Sequence, residues 1–202
     1  MKQVSIIGCI MLVLASCSST PRTEQNESGV AEEPKEIVVN EISVQSEPDT
    51  LKGSTQARAK GEIGHAHLTI NYYSPAVRGR IIWGGLVPFD KVWSTGAHMA
   101  TNITTDQSLI VGGVTLDAGT YALFTIPGKD EWTIIINRNW EQHLADDYDA
   151  KDDVVRVKVK PIINEVNQER LRYSVTTVNE SEGKIVIAWE KLEITLTIKV
   201  KE

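Results

Sequence analysis

From Leu192 to Lys201 the chain alternates without a break. Leu192, Ile194, Leu196, Ile198 and Val200 are apolar, and Glu193, Thr195, Thr197, Lys199 and Lys201 are polar. Successive side chains on a strand point to opposite faces, so this period of two predicts a strand with one face in a core and the other in water. The same pattern recurs at Ile185, Ile187 and Trp189, at Val155, Val157 and Val159 (against Arg156, Lys158 and Lys160), and at Leu171, Tyr173 and Val175 (against Arg170, Arg172 and Ser174). Turn chemistry marks more strands. Gly112-Gly113 separates Leu109-Ile110-Val111 from Val114-Thr115-Leu116, and Thr120–Ile126 is stopped by Pro127-Gly128 before Glu131–Ile136. Ile63–Tyr72 reads as one early strand ended by Ser74-Pro75. No long window has a helical apolar period; one short helix is expected near Trp140–Ala145. About ten short strands with regular turn signals predict an all-β fold: an antiparallel two-sheet β-sandwich, jelly-roll or Ig-like, with at most one short helix.

The start of the chain has a different character. Lys2 precedes an apolar run, Val4–Leu14, which is too short to span a bilayer. Small residues then lead to a cysteine, Leu14-Ala15-Ser16-Cys17. This is the plan of a secretory signal peptide, and its last four residues resemble the bacterial lipobox. Residues 1–16 are therefore expected to be removed, leaving Cys17 as a lipidated N-terminus and membrane anchor. The other cysteine, Cys9, lies in the removed segment. The mature chain then has no thiol for catalysis, a disulfide or a cysteine zinc site. Neither Asp nor an acidic cluster follows Cys17 directly. The expected address is the cell envelope, at the outer membrane facing the periplasm.

Residues 17–52 read as the lipidated cysteine and a disordered acidic tether. Positions 18–52 hold eight acids and three bases, a net of −5, and no aromatic residue. Such a segment cannot bury enough surface to fold alone. Ile37-Val38-Val39 is its one apolar patch and a candidate for pairing with a sheet edge. Residues 53–202, with nineteen acids and seventeen bases, form the folded domain. The whole chain, at −6, lacks the basic footprint of a general nucleic-acid binder.

Motifs that carry chemistry are few. There is no phosphate-cradling glycine loop, no nucleophile elbow and no HExxH helix, and no motif implies a cofactor. His65 and His67 stand two apart in the expected early strand, a spacing able to offer two ligands from one face; solvent-facing histidines are the simpler reading. Asp146, Asp147, Asp149, Asp152 and Asp153 crowd carboxylates together, but the calcium-loop pattern fails at Lys151 and lacks its glycine. Arg156, Lys158, Lys160, Arg170 and Arg172 form a candidate basic stripe on two strands. Residues 71–101 are the most informative segment, turn-rich yet carrying Trp83, Trp93, Arg78, Arg80 and His98. Irregular segments of this kind carry binding more often than strands do, and Trp and Arg suit stacking on a planar ligand. The simpler reading has the two tryptophans plugging one end of the sandwich.

Tyr73-Ser74-Pro75, Arg78-Gly79-Arg80, Trp83-Gly84, Leu86-Val87-Pro88, Val92-Trp93, Thr95-Gly96-Ala97, Ala118-Gly119-Thr120-Tyr121, Leu123–Gly128, Glu131-Trp132-Thr133, Asn137 and Trp140 resemble the signature of a bacterial domain-of-unknown-function family, DUF2911. The resemblance is dense over about residues 55–160. It implies a secreted or lipid-anchored protein and supplies no activity. The chain departs from that signature at Ser94, His98 and Met99, where the family pattern has an arginine, an asparagine and an acid. The stretch after Trp140, Glu141-Gln142-His143-Leu144, also departs from it. These departures imply altered specificity or lost activity.

Three functions follow as expectations. The first is a non-enzymatic binding module for a small molecule, glycan or envelope polymer. Trp83, Trp93 and Trp140 would stack on the ligand, and Arg80, His98 and Asn137 would donate or accept hydrogen bonds in the same pocket. The second is a hydrolase acting on an envelope glycan or peptide, with His98 paired to Asp90 or Asp106. The third is an assembly lipoprotein that holds a protein partner through a sheet edge.

Overall fold

A computed structural model describes Asp49 and residues 51–201. The signal segment, Cys17, Ile37–Val39 and the rest of the tether up to residue 48 lie outside the described residues. The described chain forms ten strands: β1 (Thr55–Ile63), β2 (Ala66–Ser74), β3 (Asn102–Thr105), β4 (Leu109–Val111), β5 (Val114–Leu116), β6 (Gly119–Ile126), β7 (Trp132–Asn137), β8 (Asp153–Val159), β9 (Ile162–Thr177) and β10 (Glu182–Val200). They make two antiparallel sheets, of order β1-β2-β3-β6-β7-β8 and β5-β4-β10-β9. The all-β, two-sheet expectation holds.

The expected hairpin at Gly112-Gly113 is present, with Val111 opposite Val114 and both glycines at positive φ, 56° and 82°. That is the backbone of a two-residue primed turn, which glycine adopts without steric cost. The early strand is different from its expectation. Ile63–Tyr72 is not one strand: Gly64 and His65 turn the chain between β1 and β2, with Ile63 opposite Ala66. β1 escapes a hydrophobicity search because its inward residues are Ala57, Ala59 and Gly61. The smallness is required by the facing sheet. A Cβ on Gly61 would stand 2.4 Å from the Val175 Cβ. The expected helix at Trp140–Ala145 is also absent; among the described residues the single helical turn is a 3-10 turn at Ala150–Asp152, N-capped by Asp149.

The alternating residues of both sheets meet in one core. Leu68, Ile70, Ile103, Leu123, Ile134 and Ile136 of the larger sheet face Tyr173, Ile185, Ile187, Ile194, Leu196 and Ile198 of the smaller. Each such burial contributes about 1.5–3 kcal/mol. β10 is a single strand where the sequence suggested two. It bends at Glu190, whose φ is 55°, and its register against β9 shifts on either side of that residue. The basic stripe dissolves: β8 and β9 belong to different sheets, Arg156 binds Asp153, Lys158 binds Glu131, and Arg170 is buried.

A second, smaller cluster lies on the opposite face of the larger sheet. Ala100, Ala122, Phe124 and Ile135 are buried there beneath Val92, Trp140, Ala145 and Tyr148. The loop that follows β7 supplies Trp140, Ala145 and Tyr148 and is thereby held down on the sheet.

Candidate functional site

The six residues expected to share one pocket divide among four places. Trp83 and Trp93 come from the crossover between β2 and β3 and enter the end of the sandwich. There they meet Trp132 of β7 and Trp189 of β10. Ring centroids are 5.8 Å apart for Trp83–Trp93, 4.8 Å for Trp83–Trp132 and 5.7 Å for Trp93–Trp189, the last pair stacked. The gap left among these rings is about 10 Å3, too small for a ligand. The faces of Trp83 and Trp93 are thus occupied by protein, and the two residues plug the sandwich.

Asn137 is fully buried and its amide is already engaged. Nδ2 donates to the Asp149 carbonyl at 3.1 Å and to Asp153 Oδ1 at 2.8 Å, while Oδ1 accepts from the Asn139 N–H. It brackets the loop after β7. Gln142, which the sequence offers only as part of a stretch unlike the family pattern, does the same further along. Its Nε2 donates to the Asn139 carbonyl, and its Oε1 accepts from the Asp147 N–H. Asp153 also accepts from the Tyr148 hydroxyl at 2.8 Å and from Arg156 at 2.7 Å. Burial and this carboxylate push the Tyr148 hydroxyl above its ordinary pKa. Arg80 lies elsewhere, in a turn where its guanidinium donates to the Ala76 and Val77 carbonyls.

Trp140 lines an open cleft, and His98 is outside that lining but touches one of its residues. Trp140 lines a cleft of about 340 Å3 with Tyr73, Met99, Asn71, Asn102, Gln56 and Glu141, and His98 meets Tyr73 edge-on at a centroid distance of 5.0 Å. The floor follows from register. Arg58, Asn71 and Asn102 are direct cross-strand neighbours on β1, β2 and β3, so their side chains rise on one face of the sheet. Arg58 Nε donates to Asn71 Oδ1 at 2.8 Å, and Asn71 Nδ2 donates to Asn102 Oδ1 at 3.1 Å. Those bonds fix the amide orientations before any ligand arrives. Gln56 and Tyr73 form the next row.

The walls come from irregular chain. His98 has φ 61°, a conformation uncommon outside glycine and asparagine. It is secured by Leu144, whose N–H donates to the His98 carbonyl at 2.8 Å; the Ala100 N–H donates to the Gln142 carbonyl at 3.0 Å. The two loops therefore brace one another at the cleft rim. Of the positions expected to depart from the family pattern, Met99 lines the cleft and His98 packs on its Tyr73, whereas Ser94 is buried with no hydroxyl partner among the described residues.

The other expected chemistry separates. Among the described residues no carboxylate contacts His98. Asp106 instead sits 3.2 Å from His67 Nδ1, and Glu62 lies 3.5 Å from His67 Nε2. With His65 in the hairpin turn, the two histidines do not share a strand face. Three of the five carboxylates in residues 146–153 serve separate partners: Asp146 binds His143, Asp149 caps the 3-10 turn, and Asp153 holds Asn137, Tyr148 and Arg156.

No curated protein and no solved structure matches the chain. A family model described as "Protein of unknown function (DUF2911)" matches residues 54–198, a span that starts just before β1 and ends within β10. Since that match covers most of the chain and includes every strand that builds the cleft, the chain belongs to the DUF2911 family.

Proposed function

We propose that this chain is an envelope-anchored binding module. Its cleft, between Trp140, Tyr73 and Met99, takes a sugar ring or a small molecule of similar polarity. The single observation behind this is the composition of that cleft. Aromatic faces stand beside a floor of pre-oriented amides, Asn71 and Asn102, with Gln56 and the Glu141 carboxylate at hand. A sugar ring presents apolar C–H faces and hydroxyls that both donate and accept, and this pairing of surfaces meets both needs. The anchor in this reading is a lipidated Cys17 in the outer membrane, supported by the order of apolar run, small residues and cysteine. The family's departures at His98 and Met99 adjoin the cleft, where a change would alter which ligand fits.

The experiment is thermal melting of the chain against envelope saccharides and peptidoglycan fragments. A ligand at one hundred times its dissociation constant adds about 2.7 kcal/mol of stability. A shift that vanishes in Trp140→Ala and in Asn102→Ala supports the reading. No shift with any sugar, or one that survives both substitutions, defeats it.

One observation favours a protein partner as the second reading. On β9, at the edge of the smaller sheet, Ile162, Ile163 and Val166 are exposed, Ile163 at 78%, as an added strand would require. Crosslinking from position 163 in the native envelope, with no adduct formed, would dismiss it.

A further inference from the structure

A second concavity opens where the folded domain begins. Gly53 and Ser54 form one wall, Ala76, Arg78 and Arg80 the other, and the volume is about 200 Å3. It shares no residue with the aromatic cleft, and none of its lining residues is acidic.

The two arginines are set by an unusual turn. The Arg80 N–H donates to the Val77 carbonyl at 3.0 Å, and the two central residues, Arg78 and Gly79, have φ 48° and 64°. Both central positions of such a turn favour Gly, Asn or Asp. Arginine at the first costs backbone strain of order 1 kcal/mol. The strain places two guanidinium groups on one pocket. Arg80 is held by Nε to the Val77 carbonyl and Nη2 to the Ala76 carbonyl, and Arg78 by Nη2 to the Leu51 carbonyl.

Those acceptors are neutral carbonyls. Neither Arg78 nor Arg80 has a salt bridge to a carboxylate among the described residues. Two acids lie nearby: Asp49 pairs with Arg170 and also feels the Arg78 charge, and Glu169 Oε1 accepts from the Arg78 backbone N–H. Among the described residues, the guanidinium groups of Arg78, Arg80 and Arg170 thus stand against these two carboxylates. Each guanidinium has five N–H donors, so donors remain, already oriented, and among the described residues one positive charge is left over.

We propose that Arg78 and Arg80 form a binding site for a phosphate group, separate from the cleft. Two forks that converge from different backbone positions suit a tetrahedral oxyanion, which offers oxygens in several directions. The Leu51 carbonyl accepts from both Arg78 and Arg170, so the segment before β1 positions Arg78 as well as forming a wall.

The test is titration of the full chain with inorganic phosphate and, separately, with glycerol 1-phosphate, followed by calorimetry. Binding should weaken about tenfold or more in Arg80→Gln and in Arg78→Gln and be unchanged in Lys158→Gln, whose charge lies at Glu131. Tighter binding of glycerol 1-phosphate identifies a phosphate carried on a lipid headgroup or polymer; tighter binding of inorganic phosphate identifies the free ion. As a measurement independent of the variants, phosphate should move the side-chain N–H resonances of Arg78 and Arg80 in the labelled parent chain. No binding of either probe at millimolar concentration, binding that persists in both variants, or resonance shifts confined to other arginines would overturn the assignment. Sugar binding in the cleft is read by Trp140→Ala, so the two proposals fail independently.

Discussion

Arg170 Nε donates to Asp49 at 2.9 Å across 121 positions of sequence, and both side chains are only 6% exposed. The same guanidinium donates to the Ser74, Gly53 and Leu51 carbonyls. One arginine on β9 thus ties the end of β2 and the segment before β1 to the smaller sheet. Contacts of the folded domain reach back to Asp49, within the stretch read as tether.

This clasp should be pH-dependent. The Arg170 guanidinium, by its hydrogen bond to Asp49, holds that carboxyl below the usual carboxylate range. A carboxylate with a depressed folded pKa contributes stability above its unfolded value, and that contribution disappears as pH falls through the folded value. Asp49→Asn should therefore melt below the parent chain at neutral pH. The gap should narrow as pH drops below about 4. Melting curves across that range check this; a gap constant with pH refutes it.

The tryptophan plug carries two unsatisfied donors. Among the described residues, Trp83 Nε1 and Trp132 Nε1 are buried without a hydrogen-bond partner, an arrangement that costs about 1–3 kcal/mol per group. Trp83→Phe removes one such donor while keeping an aromatic ring, whereas Trp83→Ala opens a cavity. Denaturant unfolding should show a loss of about 3–5 kcal/mol for the alanine variant and much less for phenylalanine. Equal losses would refute this account.

Gly61 is small for a packing reason. Its φ is not left-handed, so only the Val175 side chain opposes a larger residue. Gly61→Ala should destabilise by about 1–3 kcal/mol. Adding Val175→Gly, which removes the opposing Cβ as well as the Cγ, should recover part of that loss, a coupling expected of residues in contact. Additive losses in the double-mutant cycle would show the close approach to be unimportant.

Asn137 should act on the cleft from beneath it. Asn137→Ala leaves the Asn139 N–H and the Asp149 carbonyl without that partner and frees the loop carrying Trp140. Global stability should fall by about 1–3 kcal/mol. Amide exchange should accelerate across residues 138–149 more than in β10. Uniform acceleration would show that the loop is not a separately held unit.

Much of this fold is legible in the residues, because a strand buried on one face writes its period directly. Leu192–Lys201, Gly112-Gly113 and Pro127-Gly128 each announce a strand or turn from neighbours in sequence. What escapes is whatever depends on a partner far along the chain. β1 is hidden because Val175 leaves room only for small residues, and the basic stripe fails because β8 and β9 lie in different sheets.

The candidate site divides the same way. The sequence singles out the tryptophans and polar residues of segment 71–101, and Trp140 and Asn137 after β7, as residue types suited to binding. It could not say which faces stay open. Edge contact with Trp132 packs Trp83 and stacking on Trp189 packs Trp93, and bonds to Asp149 and Asp153 occupy Asn137. Alternation and turn chemistry are local, so the sequence alone determined the all-β class and most of its strands. The cleft and the arginine pocket depend on cross-strand register and on loops packed over the sheet, contacts between distant residues that only the tertiary structure decides.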